Sequence, residues 1–200
     1  VLFEGVHTLY EDDPLQNLVM QAIEAGIAVY ASHTPWDWVN GGVNDVMADR
    51  MALRNRKPLR RREENDVHLA YSTGFGVYGE CAPITLVSFA QFLSSAFSAP
   101  SVVFYGQSDR QIERIGVLGG SGMEFVSDAL ASGCDVFVTA DIKYHEAQFA
   151  IQRGISLIDL GHYAAEFPSM AQALRLSQTF SADVDQQLFD AQENKRHSLR

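Results

Sequence analysis

The sequence predicts an α/β protein with mixed sheets flanked by helices. Short runs rich in β-branched and aromatic residues alternate with longer segments whose apolar positions recur at helical spacing. Strands alternating with helices of about a dozen residues imply crossover connections between sheet strands. Two hundred residues, 46% hydrophobic and 20% charged, suffice for one large domain or two small ones around a shared core.

Taken in order, "IAVYAS" (residues 27–32) reads as a strand. "HTPWDWVNGG" follows as a loop, with Pro35 and two glycines as breakers. "VNDVMADRMAL" repeats Val43, Val46, Met47 and Met51 at helical spacing. "RNRKPLRRREEND" (residues 54–66) ends in acidic residues and interleaves no aromatics, so it reads as a solvated basic loop. "TGFGVYGEC" is a short strand whose glycines point to a bulge or a close backbone approach.

In "TLVSFAQFLSSAF", Leu86, Phe89, Ala90, Leu93 and Phe97 share a helical face, with Thr85 as N-cap. "SVVFYG" and "IERIGVLG" read as two strands joined by the polar turn "QSDRQ". "GGSG" (residues 119–122) is read as a tight turn into the helix "MEFVSDALASG", which stops at Gly133. "CDVFVTA" is a strand, "KYHEAQFAIQRG" a helix ended by glycine, and "ISLIDL" a buried strand. A helix is expected to start at Pro168, because proline disfavours α geometry at the residue before it. "DVDQQLFDA" is expected to close the fold as an edge strand.

The composition excludes several classes of function. A net charge of −10 argues against a nucleic-acid partner, since phosphate binding needs a basic face. No apolar run approaches the roughly 20 residues that span a bilayer, and the first residues lack the pattern of a signal peptide. Cys81 and Cys134 are too few for a disulfide framework or a cysteine-based zinc site. They read as small buried apolar residues, consistent with a cytoplasmic location.

The residues with chemical potential lie after predicted strands. His33 and Asp37 form one His-x-x-x-acid tetrad, and His162 and Glu166 form another. Functional groups in open α/β sheets collect beyond the carboxyl ends of strands. Asp141 and His145 have the same spacing, but Asp141 is accounted for as the cap of the helix carrying His145. "GGSG" lacks the Lys-Ser/Thr of a P-loop and the spacing of a dinucleotide fingerprint.

"YASHTPWDWVNGGVNDVMADRMAL", "TGFGVYGE", "IGVLGGSG", "CDVFVTADIKYHEA" and "ISLIDLGHYAAE" occur in this order. Together they resemble the NGG-one-interacting-factor-three-like family of dinuclear metal proteins, also called GTP cyclohydrolase I type 2 homologues. The resemblance implies residues 1–200 are a single family domain, with similar lobes from 1–60 with 106–200 and an intervening 67–105 segment. It implies Asp37, His162 and Glu166 as metal ligands, Glu166 bridging two divalent ions, with His33 beside them either as a supporting residue behind the ligands or as a catalytic proton carrier. The ions would be zinc, iron or manganese, the choice among them left open.

The same resemblance implies a toroidal homohexamer, a trimer of dimers, and a small-molecule substrate. The family's "HHP" ligand pair is expected just before Val1, which makes the chain N-terminally incomplete and its site two-metal, single-metal or empty. "HTPWD" stands where the family has "HTNLD", so Pro35 and Trp36 stiffen and crowd that loop. Two ions about 3.5–4 Å apart would activate a bridging water for hydrolysis, as a GTP cyclohydrolase-like enzyme or a phosphoesterase. The alternative expectation is a metal-binding assembly or protein-interaction factor without turnover. Phe89, Phe92, Phe97, Phe104, Trp36 and Trp38 are candidates for a subunit interface, weighed against an ordinary place in the core.

Overall fold

The computed structural model describes residues 6–60 and 74–190. The chain divides into two compact units, Val1–Trp36 and Asp37–Arg200. In the first, helix α1 (Pro14–Glu24) is started by Asp13, whose carboxylate accepts from the Gln16 N–H at 2.8 Å, with Pro14 in its first turn. None of its residues is buried. Residues 27–32 form no strand, and Val29 and Tyr30 stand exposed. Their β propensity expresses a fit to a pleated, half-buried surface, and among the described residues no strand pairs with them. A short helix, α2 (Thr34–Trp38), replaces part of the expected loop and runs across the boundary between the units.

In the second unit, α3 (Val43–Arg50) turns Val43 and Met47 into the core as its spacing predicts. The segment expected as a basic loop is instead strand β1 (Arg54–Arg60), antiparallel to β2 (Phe75–Thr85). It is an edge strand: Lys57 and Pro58 are typical edge residues, and Leu59 is its one buried side chain. The rest of the basic run lies outside the described residues. The register of β2 shifts between Glu80 and Ile84, and a Cβ at Gly79 would sit 2.8 Å from the Arg54 carbonyl oxygen. The close approach expected of those glycines is therefore present at Gly79, and the β1–β2 register shifts opposite it, between Arg54 and Lys57.

Helix α4 (Leu86–Ala96) is capped by Thr85 and buries Leu86, Phe89, Ala90 and Leu93. Strands β3 (Val103–Tyr105) and β4 (Gln111–Ser121) are consecutive but not neighbours. After β4, a turn of 3-10 helix (Met123–Phe125) leads into α5 (Val126–Ala131). Strand β5 (Val136–Ala140), helix α6 (Tyr144–Gln152) and strand β6 (Ser156–Asp159) follow as expected. The six strands form one mixed sheet ordered β1-β2-β4-β5-β6-β3. Strands β4, β5 and β6 run parallel at its centre, and β3 caps the far edge antiparallel to β6. Ile115, Val117, Phe137, Leu157 and Ile158 are fully buried there, each worth about 1.5–3 kcal/mol of transfer free energy.

The last helix, α7 (His162–Phe180), departs from expectation: it begins six residues before Pro168 and carries that proline inside. Proline removes one N–H and crowds the carbonyl four residues earlier, yet the helix continues. Close by, the Ser169 hydroxyl donates to the Glu166 carbonyl at 2.7 Å. The expected closing strand is absent from residues 183–190, where Val184 and Phe189 are exposed. No helix among the described residues is long and apolar enough to cross a membrane.

Candidate metal centre

Strands β5 and β6 are parallel neighbours, so their carboxyl ends deliver two loops side by side. The first loop opens on Asp141, in a left-handed conformation with φ of +56°. The second passes through Gly161, at φ +82°, into the first turn of α7. His162 and Glu166 stand one turn apart on that helix, as i and i+4 neighbours must. His162 Nε2 lies 3.0 Å from Glu166 Oε1, and His162 Nδ1 lies 2.7 Å from Asp141 Oδ2.

The imidazole is thus held between two carboxylates. Its pKa is pushed up to about 9 by the hydrogen bond to Glu166 and, next, by that to Asp141. Asp37, on α2, belongs to the same group. Burial first, then the charge of Glu166, push its carboxyl up to about 7, against the lowering effect of His162.

Asn44 holds the Asp37 backbone in place. Buried on α3, its side-chain amide donates to the Asp37 carbonyl at 3.0 Å and accepts from the Gly119 N–H at 2.9 Å. Gly119 and Gly120 therefore do not form the expected turn; they are the last part of β4. A Cβ on Gly119 would lie 2.2 Å from Val43 Cγ1, and one on Gly120 would lie 2.4 Å from Glu166 Oε1. Gly120 clears the space in which His162 and Glu166 meet. On the other flank of His162, a cleft of about 520 Å³ is lined by Arg50, Phe97, Asp141, Tyr163 and Phe167.

His162 and Glu166 are therefore in contact, and Asp37 lies within electrostatic reach of both. His33 lies in the first unit, where its carbonyl accepts from the Trp36 N–H at 3.0 Å and its Nδ1 is 3.4 Å from Thr34 Oγ1. Asp141 was accounted for as a helix cap, but α6 is capped at Lys143, whose N–H donates to Glu146 at 2.9 Å. Its contact with His162 was hidden because only the pairing of β5 with β6 sets the two loops together. His145 instead lines a separate shallow cleft with Glu124 and Phe149.

One imidazole nitrogen and two carboxylates beside a cleared space are donors of the right chemistry for zinc, iron or manganese. Among the described residues no three His, Cys, Asp or Glu side chains already stand in a metal-holding arrangement. An ion would have to enter between His162 Nε2 and Glu166 Oε1, which now touch.

The Duf34/NIF3 (NGG1p interacting factor 3) family matches residues 1–195. The chain belongs to this family. It is 34% identical over 166 residues to a GTP cyclohydrolase 1 type 2 homolog of Streptococcus pneumoniae, covering 81% of this chain and 60% of that one. A relative of the same description from Nostoc is 30% identical over 172 residues, covering 84% and 63%. The chain thus spans about three-fifths of the length of these Duf34/NIF3 relatives. The crystal structure of Staphylococcus aureus protein SA1388 superposes with a TM-score of 0.79 at 27% identity, over 90% of this chain and 71% of that one. A Bacillus cereus protein related to NIF3 superposes at 0.82 over 91% and 75%; at 19% identity, that likeness concerns the fold alone.

Proposed function

We propose that this Duf34/NIF3 chain binds divalent metal through Asp37, His162 and Glu166, and that the whole protein is a metal-dependent hydrolase. The observation that carries this reading is the His162–Glu166 pair at the head of α7, with Gly120 cleared beneath it. Two bound ions would supply an activated water and a polarised substrate oxygen. Glu166 and Asp37 would hold the ions and neutralise their charge. His162 offers Nε2, while Asp141 holds its other nitrogen and so fixes the direction of the ring. His33 is assigned the proton transfer of that reaction. The description of the relatives as GTP cyclohydrolase 1 type 2 homologs makes a purine nucleotide the first substrate to test, with phosphate esters second.

A second reading is favoured by the family's description as an interacting factor: a cytoplasmic metal-binding assembly or regulatory protein without turnover. Elemental analysis of the full-length protein, joined to GTP-hydrolysis and phosphoesterase assays, separates the two. Metal with turnover supports the hydrolase, and metal without turnover supports the assembly protein. Absence of metal after zinc, iron and manganese loading refutes both.

In either case the proposed assembly is a homohexamer. The exposed rings of Phe92 and Phe180 suit burial between copies, whereas Phe89 and Phe97 are spent in the core. A monomer alone in sedimentation equilibrium at tens of micromolar would refute it.

A further inference from the structure

We propose that Asp159 is a positioning residue, a single carboxylate that latches the two loops carrying Asp141 and His162 so that these side chains meet. Asp159 is the last residue of β6, paired in register with Thr139 of β5. Its two oxygens serve different loops. Oδ2 accepts from the Ile142 N–H at 3.1 Å, and Oδ1 accepts from the Gly161 N–H at 3.0 Å. Ile142 directly follows Asp141, and Gly161 directly precedes His162. One side chain therefore ties together the neighbours of both partners in the 2.7 Å contact between Asp141 and His162 Nδ1.

The latch has strain to hold. Asp141 sits at φ +56°, a left-handed conformation that residues other than glycine rarely adopt. Such a conformation persists only where the surrounding structure over-determines it, and the bond to Ile142 is applied at the next residue. With the Asp141 oxygen fixed on Nδ1, the ring's Nε2 is the nitrogen left facing Glu166 and the space over Gly120. The second nitrogen of a metal-binding histidine is commonly held by such a partner, and losing the partner typically weakens metal affinity about 10–100-fold. Asp159 acts one step further out, through Asp141. Its metal-related effect rests on the reading of the site given above; its effect on the ring does not.

Asp159→Asn tests this in the full-length protein. An amide keeps one acceptor oxygen and sets an N–H₂ against the other backbone N–H, so one of the two loops is released. Two readouts are taken: zinc affinity by competition with a chelator, and ring-nitrogen NMR of His162 in the metal-free protein at a pH where the ring is neutral. Wild type should hold the proton on Nδ1, and D159N should lose much of that preference. Zinc should bind D159N about tenfold more weakly, and the further loss should shrink below about twofold in an Asp141→Asn background, because coupled residues are non-additive.

An unchanged ring tautomer in D159N overturns the latch, as does a full, additive zinc loss on top of D141N. If wild type itself binds no zinc, the metal reading fails and the NMR result alone decides for or against Asp159. Should D159N not fold, Asp159→Glu, which keeps the charge but shifts the oxygens by one methylene, is put through the same measurements with the same criteria.

Discussion

Replacing Gly120 with alanine separates two demands placed on that position. At its φ of +68° any residue with a Cβ costs roughly 1–2 kcal/mol. The new Cβ would also lie 2.4 Å from Glu166 Oε1 and 3.2 Å from His162 Nε2. Glu166 Oε1 is the far end of a flexible, partly exposed side chain, so the collision is relieved by swinging the carboxylate aside rather than by unfolding. The stability loss should therefore stay near the backbone figure, about 1–2 kcal/mol, while the donor pair is taken apart.

Gly154→Ala supplies the control, since Gly154 has φ +87° and nothing within 4 Å of its would-be Cβ. In urea unfolding the two variants should lose similar stability. In zinc titrations only G120A should weaken, by at least about tenfold or 1.4 kcal/mol. Wild-type zinc affinity in G120A, or an equal loss in G154A, would refute the reasoning.

Three further outcomes are expected. Glu166→Ala should cost more bound metal than His145→Ala, and equal losses by elemental analysis would overturn that order. Asn44→Ala should destabilise the protein by about 1–3 kcal/mol, since it strips the buried Gly119 N–H of its acceptor; urea unfolding measures this. In the metal-free protein, the His162 contribution to stability is complete below its ordinary pKa of 6.5 and is lost as pH rises through about 9. Asp37, raised from 3.8 to about 7, acts in the same direction over its own lower range. Melting temperature with chelator present should therefore fall between pH 6.5 and 9, less so in His162→Gln, whereas zinc affinity should rise over that range as metal competes with protons.

The central strands and most helices were legible in the sequence because period and punctuation agreed there, as in "CDVFVTA" and the Thr85 cap. Legibility failed where partners decide. Residues 27–32 have strand composition but pair with no strand among the described residues, while residues 54–60 have loop composition and do pair, as an edge that tolerates Arg, Lys and Pro. The α1 helix went unread although Asp13 and Pro14 mark its start. At the site, the His162–Glu166 spacing was visible, but Pro168 concealed that both stand on a helix. The roles of Asp141 and Asn44 were invisible, because each contact spans elements far apart in the chain.

The strand order β1-β2-β4-β5-β6-β3 also sets a sequence in time. Strands β4, β5 and β6 are consecutive in the chain and adjacent in space, linked by α5 and α6. The pairings among them, such as Ile115 with Val136 and Val136 with Ser156, close shorter loops than any contact reaching back to α2 and α3, and so cost less loop-closure entropy. They already bring Asp141, His162 and Glu166 within reach of one another. Asp37 is added only when the far earlier α2–α3 segment docks on the C-terminal end of β4 through Asn44 and Gly119. A polypeptide still emerging or half-collapsed would thus present His162 and Glu166 without Asp37.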